Sequence, residues 1–129
     1  MDFVIRPRLA GFEPSADVFI DEERAVVVVA VDVAGADPES LRVEIDEGHL
    51  LITGHRPKPE RSRLCSLVQK EIAYGDFAKR ILLPAAIEYD GADATYDGGM
   101  LVITLAVARE TYVPTTRTEV RLIVKRIPW

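Results

Sequence analysis

Alternation of apolar and polar residues, rather than a helical repeat, dominates this sequence. In residues 41–46 every second side chain is apolar and those between are charged or polar, which is typical of a strand with one buried face. Residues 25–33 are apolar except for Asp32 and are rich in valine, so they predict a strand in the middle of a sheet. Since no helical stripe is sustained over several turns, the chain is predicted to fold from short strands.

Turn signals divide the rest of the chain into further strands. Asp97-Gly98-Gly99 is the strongest hairpin signal, and Asp37 followed by Pro38 predicts one helical turn with Asp37 as its N-cap. Without long crossover helices a parallel sheet is disfavoured, so the predicted architecture is an all-β antiparallel sandwich. The remaining predicted strands are residues 17–21, 50–53, 77–83, 92–96 and 100–107, with weaker candidates at 65–71 and 119–124.

Composition limits the class of protein. A chain of 129 residues with 48% hydrophobic residues has the length of one domain and can build a core without disulfides. Its net charge of −5 disfavours nucleic acid as the main partner, and no apolar run is long enough for a membrane span. With Cys65 as the only cysteine and no signal peptide expected, we predict a reducing, cytoplasmic location.

The sequence offers no convincing set of catalytic residues. Its serines lie outside a G-x-S-x-G context, and no phosphate-binding glycine motif appears. His49 and His55 are interpreted as turn or surface residues, and together with Cys65 they are too few for a four-ligand zinc site. We therefore expect no enzymatic activity, no cofactor and no metal.

Two segments do not fit the strand pattern. Residues 55–70 form a long excursion with two prolines and a basic cluster, interpreted as a solvated loop because no aromatic residue accompanies it for base stacking. Residues 108–118 are polar and turn-rich, and the compact apolar segment 120–124 follows them. A tether followed by an apolar strand is typical of a segment that docks on another surface.

Three sequence blocks resemble small heat-shock proteins. Residues 71–84 (EIAYGDFAKRILLP) are similar to that family's E-x-x-Y-G-x-F-x-R-x-F-x-L-P block, and residues 94–101 (ATYDGGML) to its A-x-x-x-N-G-V-L signature. Residues 17–19 with 31–35 resemble its D-[IV]-x…L-P-G opening. The blocks follow in order from about residue 14 to 107, so by resemblance the chain is identified as a small heat-shock protein with an α-crystallin domain.

The resemblance implies an immunoglobulin-like sandwich and an ATP-independent holdase, which binds partly unfolded client proteins and prevents their aggregation. It also implies three parts: a short N-terminal arm (1–14), the α-crystallin domain (15–107, with 55–70 as a dimerisation loop) and a C-terminal extension (108–129). Two alternatives stay open, a CS-type co-chaperone adaptor and a structural β-sandwich without clients. The 55–70 loop argues against the adaptor, whose fold lacks such a loop.

The resemblance further implies a homodimer in which the loop adds a strand to the partner's sheet. The residues expected there are Ser66, Leu67, Val68, Gln69 and Lys70, with Lys79 where the family prefers arginine. Clients would contact the apolar residues of the arm: Phe3, Val4, Ile5, Leu9 and Phe12.

Larger homo-oligomers would form when a C-terminal apolar pair docks in a groove of a neighbouring subunit. Two side chains two residues apart face the same way in an extended strand, and the candidate pairs are Val120 with Leu122 or Leu122 with Val124. The residues expected to form the groove are Val43, Ile45, Leu82, Ala94 and Tyr96.

Overall fold

The computed structural model describes residues 11–108 and 118–124, which form two β-sheets around a shared core. The described residues contain two short 3₁₀ turns, Pro38–Ser40 and Glu60–Leu64, and no α-helix. The predicted all-β sandwich is therefore confirmed. The strands are β1 (Ala16–Asp21), β2 (Val26–Asp32), β3 (Arg42–Asp46), β4 (His49–Arg56), β5 (Gly75–Leu82), β6 (Ile87–Asp97), β7 (Met100–Val107), β8 (Thr118–Glu119) and β9 (Leu122–Val124).

The order of the strands determines which of them lie at sheet edges. The first sheet runs β1-β2-β7-β6-β9 and the second runs β5-β4-β3-β8. Neighbouring strands pair antiparallel except β6 and β9, which pair in parallel. Among the strands of residues 16–107, the edge strands are therefore β1 and β6 in the first sheet and β3 and β5 in the second. The C-terminal strand β8 pairs with the edge of β3, and β9 pairs with the edge of β6.

The core follows from the alternation seen in the sequence. On β2 the side chains of Val27, Val29 and Val31 are fully buried, and on β3 those of Val43 and Ile45 are. The described residues contain no buried charged or polar residue. Removing this apolar surface from water, at roughly 25 cal/mol per Å², is therefore the main force holding the sheets together.

The predicted turns form where the sequence places glycine. Gly98 and Gly99 both adopt positive φ, 59° and 84°, as a tight hairpin of this kind requires. At the first 3₁₀ turn, Pro38–Ser40, the Asp37 side chain accepts a hydrogen bond from the Glu39 N–H at 3.0 Å, as predicted for an N-cap.

Strand β6 is longer than the sequence pattern predicts. It starts at Ile87, but its pairing with β7 shifts register between Glu88 and Asp93. Gly91 lies in this bulge with φ of 96°. Because a bulge breaks the alternation of faces, only the part after it was readable as a strand.

The weak strand candidate at 65–71 does not form in the described chain. Its apolar residues are exposed to solvent instead, and Leu67 and Val68 are among the most exposed large apolar side chains. An isolated extended segment has no partner for its backbone groups, so sequence preference alone does not make it a strand.

Tyr96 ties β6 to the end of β2. Its ring is only 8% exposed, and its hydroxyl donates a hydrogen bond to the Val33 carbonyl at 2.9 Å. Burial raises the pKa of the Tyr96 hydroxyl above its usual value, because the phenolate would lose its hydration.

The variant Tyr96→Phe should lower the free energy of unfolding at pH 7 by about 1 kcal/mol, the usual net value of one hydrogen bond. Since the pKa of Tyr96 is raised on folding, its contribution is present below about pH 10 and is lost as pH rises through the folded-state value. Urea unfolding between pH 7 and 11 should show this alkaline loss in the wild type and a smaller one in Tyr96→Phe. Tyr74→Phe is the control, and an equally steep loss in Tyr96→Phe would contradict the assignment.

Candidate functional site

The outer edge of β1 is open in the described structure, because its only paired neighbour is β2. Val18, Phe19 and Ile20 on this strand are all exposed, Phe19 to 55%. An edge strand with free backbone groups and apolar side chains is a template for another strand. This edge is therefore the first candidate interaction surface.

The second candidate surface is the long loop between β4 and β5. After the turn Glu60–Leu64, the chain runs to Gly75 without regular structure. Leu64, Leu67 and Val68 project into solvent, Val68 being 96% exposed. Such apolar exposure in a monomer marks a contact site. The five predicted dimer-loop residues 66–70 are all exposed, and their role in a dimer stays a prediction.

The two surfaces carry opposite charge. Lys58, Arg61 and Arg63 lie in the loop, whereas the turn after β1 is acidic at Asp21 and its two following residues. The backbone N–H of Arg24, and then its guanidinium, hold the pKa of the Asp21 carboxyl below its usual value. Residues 21–24 hold three carboxylates and one guanidinium, so this end of β1 keeps a net negative charge that would attract the basic loop.

Arg56 fixes the end of this loop. Its Nε and Nη2 donate to the Ala73 carbonyl at 2.8 and 2.6 Å, and its Nη1 donates to the Ala34 carbonyl at 3.1 Å. The guanidinium also lies 4.1 Å from the centre of the Phe12 ring. Only arginine combines several planar donors with an aromatic stacking face. The sequence showed Arg56 only as one base among several, so this role was missed.

Phe12 occupies a different place from the one predicted. Its ring centre lies 5.3 Å from that of Phe77, and its N–H donates to the Asp76 carbonyl at 3.2 Å. A Cβ on Gly11 would lie 1.2 Å from the same carbonyl oxygen, so only glycine allows this approach. Phe12 is thus an anchor of the arm on its own domain, and its contact with clients stays a prediction. The other predicted arm residues, Phe3, Val4, Ile5 and Leu9, lie outside the described residues.

Lys79 also has a partner within its own chain. Its Nζ lies 3.0 Å from Glu13 Oε1, and its side chain is 22% exposed. The pair adds a second link between the arm and β5, next to the one made by Phe12. A contact of Lys79 with a second subunit stays a prediction.

The groove between the two sheets lies where the edge strands β3 and β6 face each other. Four predicted groove residues border it and are buried: Val43 and Ile45 on β3, and Ala94 and Tyr96 on β6. Leu82 does not belong to this set. It lies on β5, at the opposite edge of the second sheet and separated from β3 by β4, and is 71% exposed. The expectation for Leu82 was wrong because a strand pattern does not reveal the order of strands in a sheet.

The groove is occupied by residues 118–124 of the same chain. Val120 is buried, and Leu122 and Val124 pack partly buried against the core. All three predicted docking residues therefore face the sandwich together. Docking of this segment on a neighbouring subunit stays a prediction.

Side chains that resemble a catalytic set do not have catalytic geometry. His55 Nδ1 lies 2.8 Å from Asp76 Oδ1, but Ser40 Oγ bonds the backbone N–H of His55 at 2.9 Å and not its ring. The serine is thus not held by the imidazole as a nucleophile would be. Within residues 11–108 and 118–124, no group of three or more His, Cys, Asp or Glu side chains could hold a metal ion. No helix among those residues is long and apolar enough to cross a membrane.

Comparison with known proteins agrees with the fold. A sequence profile described as "Hsp20/alpha crystallin family" matches residues 3–121. Heat shock protein 16 of Schizosaccharomyces pombe is 31% identical over 110 residues, covering 81% of this chain and 77% of that protein. The 19.0 kDa class II heat shock protein of Oryza sativa is 31% identical over 107 residues, covering 78% of this chain and 61% of the rice protein.

Solved structures give the same result. Heat shock protein 16.0 from S. pombe superposes with a TM-score of 0.67 at 26% identity, over 81% of this chain and 96% of that one. A small heat-shock protein from Xylella fastidiosa, described as having a distinct high order structure, gives a TM-score of 0.66 at 27% identity, over 82% and 95%.

The Arg56 contacts predict a selective effect of Arg56→Lys. Lysine keeps the charge but cannot donate to both carbonyls and stack on Phe12, so the amide of Phe12 should exchange with solvent deuterium at least tenfold faster. The control is Arg63→Lys, because the contact that Arg63 makes among the described residues is an exposed ion pair with Glu60, which contributes little to stability. Equal exchange rates in Arg56→Lys and the wild type would show that Arg56 does not hold the arm.

Proposed function

Because this chain belongs to the Hsp20/alpha crystallin family, we propose that it is an ATP-independent holdase. It binds partly unfolded proteins through apolar surface and so prevents their aggregation under heat or other stress. The family and its relatives support a chaperone role. The observation that carries the finer proposal is the apolar surface on β1 and in the loop, which is exposed on the single chain and would be open to clients whenever subunits separate, since capture of unfolded chains needs surface of this kind.

The arm is the proposed client contact. Phe3, Val4, Ile5 and Leu9 are apolar residues that precede the anchor at Phe12, so the arm starts from a fixed point on β5. Burial of such side chains against a client stabilises the complex by about 25 cal/mol per Å². Heat favours binding in two ways, by unfolding clients and by shifting the assembly toward smaller forms that expose more apolar surface.

The proposed dimer forms by strand exchange, with residues 66–70 of one subunit added to the open edge of β1 in the other. Three observations support this arrangement. The β1 edge lacks an outer strand in the described chain, the loop segment has apolar side chains without cover, and the charges of the two surfaces are opposite. A second copy of the chain supplies what each surface needs.

Homo-oligomers fit the similarity to small heat-shock proteins of known structure. We also propose that the protein works in the cytoplasm. The single exposed thiol of Cys65 supports a reducing compartment.

Light scattering of a heat-unfolding client protein, with no nucleotide present, tests the holdase proposal. The chain should suppress aggregation at near-equal subunit ratios, because capture is stoichiometric and needs no energy source. An unrelated folded protein of similar mass is the control. If scattering does not fall at any ratio, although the chain is folded, the holdase proposal is wrong and an adaptor or structural role is favoured.

The variant Val68→Glu tests the dimer. A carboxylate at the centre of the added strand would have to lose its hydration against the apolar residues of β1, so the sample should sediment as monomers of 14.3 kDa at concentrations where the wild type is dimeric. Leu82→Glu is the matched control, because Leu82 is similarly exposed but lies on β5. A dimer unaffected by Val68→Glu, or equally lost in Leu82→Glu, would contradict strand exchange at this site.

A further inference from the structure

A cleft of about 390 Å³ opens at the base of the loop between β4 and β5, where the two ends of the loop meet. The side chains that line it include His55, Arg56 and Lys58 at the outgoing end, and Lys70 and Tyr74 at the returning end. No described residue of the lining is acidic. Its volume lies within the range of about 300–1,000 Å³ that is usual for small-molecule sites. The cleft therefore has the size of a ligand site and charges of a single sign.

The two lysines of the cleft have no acidic partner within the part of the chain that the structure describes. The acids nearby contact other side chains instead. Glu60 lies 2.8 Å from Arg63, and Glu71 accepts a hydrogen bond from a neighbouring glutamine. Asp76, which follows the returning end of the loop, pairs with His55 at 2.8 Å. A bound anion would supply the counter-charge that the lysines do not find in their own chain.

The cleft also holds hydrogen-bond donors in fixed positions. Lys70 Nζ donates to the Ile72 carbonyl and lies 5.3 Å from the centre of the Tyr74 ring, so its ammonium is kept beside the cleft. Three of the five N–H groups of Arg56 donate to backbone carbonyls. Within the described chain the other two make no hydrogen bond, so they are available to a ligand on a guanidinium that is already ordered.

Tyr74 adds an aromatic ring to these cations. In the sequence, no aromatic residue lies within the basic cluster of the loop. In the fold, the returning end of the loop brings half-buried Tyr74 to the same cleft as Lys58. Cations that contact phosphates, together with an aromatic face that can stack on a base, are the combination found where proteins hold nucleotides.

We propose that this cleft binds a ligand with linked phosphate groups, as in a nucleoside triphosphate or in free inorganic polyphosphate. Linked phosphates carry several negative charges and many acceptor oxygens, which match the cations and N–H donors of the cleft. The two sources share this chemistry and differ in the base, for which Tyr74 is the contact. The ligand is bound and not hydrolysed, so the inference goes beyond the holdase proposal and does not depend on it. Of the lining residues, only Lys70 belongs to the segment 66–70 proposed for strand exchange.

Calorimetric titration of the full chain with ATP and with inorganic triphosphate tests the site. Both double variants to be compared remove two positive charges from the same loop. Lys58→Gln/Lys70→Gln changes the cleft, whereas Arg61→Gln/Arg63→Gln is the matched control because neither arginine lines it. The buffer is kept at physiological ionic strength, where exposed charges more than about 8 Å apart are largely screened.

The wild type should bind one ligand per chain. The cleft variant should bind it more weakly by about tenfold or more, because it loses two charge-assisted contacts, and the control should bind it as the wild type does. Equal weakening in both variants would overturn the proposal, since the ligand would then be attracted by the charge of the loop and not by the cleft. Absence of binding of both ligands to the folded wild type would overturn it as well.

The variant Tyr74→Leu distinguishes the two sources. If the cleft serves a nucleotide, this variant should weaken the binding of ATP and leave that of triphosphate unchanged. If the cleft serves inorganic polyphosphate, ATP and triphosphate should bind equally well and Tyr74→Leu should affect neither. Both results support a site for linked phosphates and assign its source.

A second measurement uses the wild type alone and so avoids any loss of folding in the variants. Triphosphate is added to the isotope-labelled full chain, and the amide resonances are followed by NMR. The amides of Lys58 and Gly75, at the two ends of the loop, should shift, whereas that of Gly98 in the distant β6–β7 hairpin should not. Shifts confined to residues outside the cleft would contradict the proposed site.

Discussion

The outer strand of a β-sheet leaves a row of backbone N–H and C=O groups without partners, and every sandwich has to cover or tolerate these rows. In this protein the terminal segments do most of the covering. β8 lies on β3, β9 lies on β6, and the bridge at Phe12 meets the first part of β5. Within residues 11–108 and 118–124, β1 and the part of β5 beyond Phe77 are left as uncovered edges, and the loop between β4 and β5 is left as an exposed apolar segment. The β1 edge and the loop are complementary, which supports the proposal that a second copy of the chain joins them.

Arg56 connects the parts that would change together. Its donors hold the end of the loop at Ala73 and the turn at Ala34, while its guanidinium covers the ring of Phe12. If the loop shifted on dimer formation, Arg56 would move with it and its contact with Phe12 in the arm would change. Such a link needs a residue that is always charged, planar and able to donate in several directions, and arginine alone has these properties.

Much of the fold could be predicted because burial of one strand face leaves a period of two in the sequence. The strands around Val29, Ile45 and Ile103 follow from that rule, as do the turns at Asp37 and Gly98. Strand order does not follow from it, so Leu82 was assigned to the groove although β4 separates it from β3. The packing of Phe12 on Phe77 could not be predicted for a related reason: an apolar residue near a terminus looks the same in sequence whether it is free or packed. The resemblance to a family implied the groove and the docking residues, but it did not distinguish docking in the same chain from docking in a neighbouring subunit.

The tether between β7 and the docked segment gives the closed groove one more property. Residues 109–117 join the two covalently, so the segment meets its own groove at an effective concentration set by the length of the tether. A unimolecular equilibrium of this kind does not respond to dilution. The segment would therefore return to its own groove even when the protein is scarce. Temperature and competing strands, including the same segment of other copies of the chain, would lower the fraction of closed grooves.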